Sequence, residues 1–251
     1  MATQLQTSDN KQITITNAQF VGSGSNKVAL SCNIQIDQQI FNNVVMTTEW
    51  VVIEEKMVHR HYEIDKAKKM GTLRISPTMH ASFVLDKKTN LTSLVNLFTN
   101  ADPDPHKLKD KIRQLQSTTA TNIIVTIQEA LATTFHPDCS DSEKKLNLNK
   151  HPKCKKICAK WNQMHDNFIS HRDVKPANLM FDTTGEAYII DWGASKNHTT
   201  REIAVNEELF GSVFYPENAK HIEVICNHQQ PSPRGGVYRK NNSRKNNSRK
   251  K

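Results

Sequence analysis

Between His171 and Gly193 the chain reads HRDVKPANLMFDTTGEAYIIDWG. Four side chains in this run are of types that hold or move phosphate. Asp173 is a carboxylate suited to take a proton from a hydroxyl. Lys175, two residues on, projects to the same side of an extended loop and offers positive charge to a phosphate. Asn178 and Asp191 supply a neutral carbonyl oxygen and a carboxylate, hard oxygen donors that suit Mg²⁺ better than nitrogen or sulfur would. Phosphoryl transfer asks for this set, because its demands are positioning of the nucleophile and neutralisation of charge on the phosphate oxygens.

Those groups need elements that bring Asp191 back to Asn178. Leu179–Phe181 and Ala187–Ile190 are short apolar runs, and Asp182–Glu186 between them is a turn cluster, so the pair predicts a β-hairpin. Gly193 is expected to let the backbone bend sharply after the second carboxylate. Upstream, Cys154, Ile157, Cys158, Trp161, Met164, His165 and Phe168 fall at helical spacing. They predict a helix over 153–170 that delivers the chain into the loop.

The ordered pattern HRDxKPxN, hairpin and DWG resembles the catalytic and metal loops of eukaryotic-type Ser/Thr protein kinases. The resemblance implies an α+β, bilobal fold with a small antiparallel β N-lobe and a helical C-lobe. It implies ATP and Mg²⁺ between the lobes, with Asp173 as base toward a protein hydroxyl. Lys175, Asn178 and Asp191 would hold phosphate, Asn178 and Asp191 the metal. Lysine two residues after the aspartate is the Ser/Thr rather than the Tyr pattern, and Trp192 replaces the usual Phe. Arg172 resembles the arginine of kinases whose activation segment is ordered by a phosphate or an acidic group. Thr199 and Thr200 are the candidate phosphorylation sites facing it.

The same resemblance organises the rest of the chain. Residues from Ile13 to Phe20 and from Lys27 to Leu30 read as strands around Gly22-Ser23-Gly24-Ser25-Asn26. That turn is similar to the family's phosphate-covering glycine loop, about one residue short, with Gly22 and Gly24 as its binding glycines. Val44–Thr47 resembles the strand that carries the family's lysine, but Thr47 stands in the lysine's place. Lys56, after the next apolar run, is the other candidate. Glu63 resembles the helix glutamate that pairs with that lysine. Met79–Leu85 and Leu91–Phe98 around Asp86–Asn90 predict a further hairpin, and Asn100–Pro105 the hinge. Residues 106–116 and 122–135 carry helical patterns, and 136–152 an insertion. Residues 194–210 suit an activation segment, and Gly211–Glu217 its substrate-side end with Ser212. The expected division is a flexible N-terminus at 1–12, an N-lobe at 13–100, a C-lobe at 101–226 and a disordered basic tail at 227–251.

Composition bounds these readings. The 251-residue chain is 36% hydrophobic and 24% charged, which permits a packed core. No apolar run approaches a transmembrane helix and the polar start is not a signal peptide, so an intracellular protein, cytoplasmic or nuclear and without membrane contact, is expected. Of the net charge of +9, eight charges lie in 234–251. That tail reads as a nuclear import signal, a nucleic-acid contact or a solvated end. The five cysteines are scattered and odd in number, which does not suggest a disulfide framework. The repeated His-x-x-Cys at 136–139 and 151–154 would suit zinc, whereas the later pair also fits the buried helical stripe.

The chain stops soon after Glu217, where the family carries further helices. A truncated, incomplete C-lobe, covered by a partner protein, is therefore expected, in a divergent kinase of viral type. Two functions are compatible with these features: an active Ser/Thr kinase, or a catalytically weak or inactive kinase-like module that binds and regulates another kinase.

Overall fold

Alternating apolar residues build the first half of the chain. In Ile13, Ile15 and again in Val28, Leu30, Cys32, Ile34, every second side chain is buried, so one face of each strand meets a core and the other meets solvent. The computed structural model describes residues 2–51, 54–102, 105–134, 152–174, 178–211 and 216–227. Nearly all of the 136–152 insertion, Ser212 and the basic tail past Asn227 lie outside these residues.

Six antiparallel strands form the main sheet: β1 (Thr3–Gln6), β2 (Gln12–Ser23), β3 (Lys27–Ile36), β4 (Gln39–Val51), β5 (Met79–Asp86) and β6 (Asn122–Glu129). Their spatial order is β1-β2-β3-β4-β6-β5. The sheet curls until its two ends approach, where the Ser8 N–H donates to the Val84 carbonyl at 2.9 Å. Register shifts between Thr16 and Gln19 and between Phe20 and Gly22 mark bulges in β2, and bulges sharpen strand twist. The expected flexible N-terminus is thus part of the sheet. Thr3–Gln6 pairs with β2, and Leu5 is buried because the strand carries its single large apolar side chain inward.

Helices α1 (Glu54–Thr72), α2 (Lys87–Ala101) and α3 (Pro105–Ser117) are inserted between strands of this sheet along the chain, and α4 (Pro152–Asp166) comes after the last of them. Two further expectations fail in this half. Leu91–Phe98 is helical, not a strand: Asp86 caps α2 by accepting from the Thr89 N–H, and Leu94, Leu97, Phe98 and Ala101 form a buried stripe at helical spacing. Residues 122–129 are a strand, not a helix. The β-branched run Ile123, Ile124, Val125, Ile127 is buried on both faces between β4 and β5, so it shows no alternation to read.

The expected break at Asn100–Pro105 therefore does not divide the layers. Leu108 and Leu115 of α3 and Ile123 of β6 share one core with Leu30 and Met46. The sheet ends only at Glu129.

A second core gathers the rest. It joins Trp161 and Met164 of α4 to the short strands β9 (Leu179–Phe181) and β10 (Ala187–Ile189), and to Trp192. Strand β7 (Thr133–Thr134) pairs with β9, while β8 (Ile169–Ser170) pairs with β11 (Lys196–Asn197). Two helices close this layer, α5 (Arg201–Phe210) and α6 (Pro216–Asn227). Helix α6 is fixed to α4 twice. The Trp161 indole donates to Glu223 at 2.6 Å, and Cys158 is disulfide-bonded to Cys226. The cysteine spacing gave no sign of this pair because 68 residues separate its members. Cys154, Cys139 and both histidines of the zinc reading lie among residues whose side chains are not described.

Candidate active site

The hairpin forms as its turn residues dictate. Asp182 accepts from the N–H groups of Thr184 and Glu186, and Gly185 takes the left-handed φ of 78° that the turn requires. Met180 then faces Tyr188 in register, and the Ile190 N–H donates to the Asn178 carbonyl at 2.9 Å. Asp191 is thereby returned beside Asn178, as the residue spacing predicts.

Asn178 also fixes the loop before it. Its side-chain amide donates to the Asp173 carbonyl at 2.8 Å and to the Asp173 carboxylate at 3.1 Å. With the N–H atoms spent on Asp173, the amide oxygen is the atom of Asn178 that could take a metal ion. His171 stiffens the same loop from below. Its Nε2 lies 2.9 Å from the Ile190 carbonyl, and its ring stands edge-on to Trp192 at 4.9 Å between centroids. Lys175 belongs to 175–177 and lies outside the described residues.

The sharp bend falls at Asp191, which has φ 67° and ψ 69°, not at Gly193. Aspartate enters the left-handed region more readily than most side chains. Gly193 is needed for a different reason: a Cβ there would sit 3.2 Å from Oε2 of Glu63. Helix α1 and the turn at Asp191–Gly193 touch at this point, which brings Glu63 beside Asp191.

A cleft of about 290 Å³ opens between the sheet and this floor. Val21, Ala29, Val45 and Leu131 are among its apolar walls, and Asn178, Asp191, Lys27, Arg60 and Glu63 also line it. A second cavity under the glycine turn shares Lys27, Arg60, Glu63 and Asp191 and adds Gly24 and Glu49. The turn is held by Asn26, which donates its amide to the Trp50 carbonyl at 2.7 Å. A Cβ at Gly22 would meet open space, and one at Gly24 would meet the Lys27 Cβ at 3.6 Å, so neither glycine is demanded by local packing.

The lysine of the sheet is absent from its expected places. Thr47 does face the cleft, opposite Ala29. Lys56 is not on a strand, because β4 ends at Val51 and Glu54 already begins α1. Its side chain lies outside those described. The cation that meets the sheet here is Arg60 of α1, whose Nη2 lies 2.5 Å from Glu49 Oε2 and whose Nη1 pairs with Glu63. Burial works against the Arg60 charge, but Glu63, Glu49 and Asp191 outweigh it and hold its pKa above the ordinary value. Burial raises the Glu49 carboxyl, opposed by Arg60 and Lys27. Sequence reading missed Arg60 and Glu49. The signal was present: Glu49 stands two residues from Thr47 on the same strand face, and Arg60 precedes Glu63 by one helical turn.

Glu207 and Glu208 of α5 were missed as well. Glu208 is fully buried and accepts from the N–H groups of His171 and Arg172.

Comparison with known proteins bears on the same segment. Residues 112–218 match the family described as the protein kinase domain. Over this stretch the chain is similar to protein kinases. The kinase match begins within α3 and leaves α1 and most of the sheet outside it. The serine/threonine-protein kinase PknD of Chlamydia trachomatis serovar D is 36% identical over 62 residues, covering 25% of this chain and 7% of that protein. A probable serine/threonine-protein kinase PknB of Corynebacterium glutamicum is 35% identical over 68 residues, covering 26% of this chain and 10% of its own length. The chain thus spans a tenth or less of the length of these relatives. The curled antiparallel sheet over a helical layer is the α+β kinase-like fold that the motifs imply. No helix among the described residues is long and apolar enough to cross a membrane.

Proposed function

We propose that this chain is a Ser/Thr protein kinase that transfers the γ-phosphate of ATP to a protein hydroxyl. The observation that carries the reading is the return of Asp191 beside Asn178 in the lining of one cleft, with the Asn178 amide holding Asp173. Asp173 is the base and its carboxylate is oriented before substrate arrives. Lys175 is assigned to the transferred phosphate.

The donor set fits magnesium. Among the described residues no group of three or more His, Cys, Asp or Glu gathers as a metal site, as a transition metal would want. One amide oxygen and one carboxylate suit an ion that keeps most of its ligands from water and phosphate. Bound there, magnesium would neutralise the phosphate oxygens. The apolar upper walls suit the adenine ring, and Gly24 leaves room for phosphates beneath the turn.

Transfer of labelled γ-phosphate to a generic protein substrate tests the reading. Wild type should transfer label, and Asp173→Ala and Asp191→Ala should not. Equal transfer by wild type and Asp173→Ala would sink it.

Thr47 in the lysine's place favours a second reading, a weakly active or inactive module that binds and regulates another kinase. That reading expects a stable complex with a kinase, unaffected by Asp191→Ala, and no transfer by the purified chain. Failure to recover any kinase by co-purification counts against it.

A further inference from the structure

The polarity of the charge pair between sheet and helix is inverted in this protein. The acid, Glu49, is on β4 and the cation, Arg60, is on α1. Lys27 on β3 lies directly across from Glu49 in register, with Nζ 3.9 Å from its carboxylate. Lys27 and Arg60 both line the cleft and the cavity under the glycine turn, and Thr47 leaves the strand position between them uncharged.

Arg60 is built to stay where it is. Its side chain is 13% exposed, and its two terminal nitrogens are held by Glu49 on the sheet and Glu63 on its own helix. A guanidinium has five N–H donors, so two carboxylates do not exhaust it. Its Nε is buried with no hydrogen-bond partner. A rigid, unspent fork beside Asp191 is suited to phosphate oxygens. The three carboxylates Glu49, Glu63 and Asp191 outnumber the two cations, so a polyphosphate is favoured here only with a divalent ion of its own.

We propose that Arg60, assisted by Lys27, is the group that binds the nucleotide phosphates in place of a strand lysine, with Glu49 anchoring it to the sheet. This rests on the kinase reading of the cleft.

Calorimetric binding of ATP with magnesium, and separately of adenosine, to the full chain tests it. Arg60→Gln should weaken ATP about tenfold or more, the scale of a lost charge-assisted hydrogen bond, and leave adenosine within about twofold. Lys27→Gln should show a smaller loss of the same kind. Thr47→Lys together with Arg60→Gln should recover ATP affinity, because the added lysine faces the same cleft. Should Arg60→Gln alone fail to unfold cooperatively, Glu49→Gln with Arg60→Gln removes the cation and its sheet-side acid together, and should show the same selective loss. Wild-type ATP affinity in a folded Arg60 variant, or a loss confined to Lys56→Gln, overturns the proposal while leaving the kinase reading intact. Absence of both ATP and adenosine binding in wild type removes the kinase reading itself.

Discussion

Arg172 Nε lies 3.3 Å from Glu207 Oε1, joining the arginine before Asp173 to helix α5. The same guanidinium donates to the Gly211 carbonyl at 2.8 Å and 3.0 Å. An acidic side chain thus meets the arginine that a phosphorylated Thr199 or Thr200 was expected to face. Thr200 is already engaged, its hydroxyl accepting from the Ile203 N–H as the cap of α5.

Activity should therefore be independent of phosphate on this segment. Thr199→Ala is expected to keep turnover within about twofold, and phosphatase treatment should change nothing. Glu207→Gln should lower turnover by about tenfold as the Arg172 contact loosens. A steady-state assay of dephosphorylated protein decides it, and strict dependence on phosphorylated Thr199 would refute the assignment.

Asn178→Ala should reduce turnover by about a hundredfold, since Asp173, the proposed base, loses the restraint that Asn178 gives it and a small misplacement of a base is costly. The melting temperature should fall by only a few degrees, because the hairpin keeps its own hydrogen bonds. A loss of turnover that merely tracked unfolding would count against a positioning role.

Gly193→Ala tests the contact between α1 and the metal loop. The added methyl would press on Glu63, which holds Arg60. Weaker nucleotide binding with near-normal stability is expected. Unchanged binding would show that Glu63 yields freely.

Two buried groups give opposite pH dependences. Burial pushes Glu208 up to about 7, opposed by N–H donation from Arg172 and His171 and by the Arg172 charge, while Glu207 raises it. Its folded pKa exceeds the ordinary 4.5, so its contribution to stability is full below that value and is lost as pH rises through about 7. Burial pushes His165 down to about 3, aided by Arg201 and His198. Its contribution is present above 6.5 and is lost as pH falls. Relative to wild type, Glu208→Gln should lose more stability on acidification from pH 7 to about 5, and His165→Leu less. Thermal melts across that range provide the check, and parallel curves for all three proteins would contradict both assignments.

Reduction should loosen α6. The Cys158–Cys226 bond closes a long loop, so Cys226→Ser should cost about 2–4 kcal/mol of stability under oxidising conditions and nothing after reduction. Non-reducing peptide mapping should recover the joined peptides.

The arrangement of residues 171–193 was legible because its groups are close in sequence and the hairpin between them is locally encoded by Asp182 and Gly185. The floor of the site was therefore readable before the fold was. The upper half was not. Arg60 and Glu49 are separated in the chain and carry no motif; their meeting depends on where α1 packs. Ile123–Ile127 misled for a related reason, since a strand buried on both faces looks like any apolar run. Leu91–Phe98 was misread by ignoring the cap at Asp86 and the spacing of Leu94, Leu97 and Ala101.

The order β1-β2-β3-β4-β6-β5 has a consequence for biosynthesis. Strand β5 is made before β6, yet β6 is the neighbour with which it forms its ladder. A nascent chain that has emerged only as far as Ala101 has no ladder partner for β5, and β4 keeps an open edge next to the uncovered apolar core. Completion of the sheet waits for Glu129 to leave the ribosome. Expression pieces cut near residue 100 should aggregate, and those cut after Glu129 should remain monomeric.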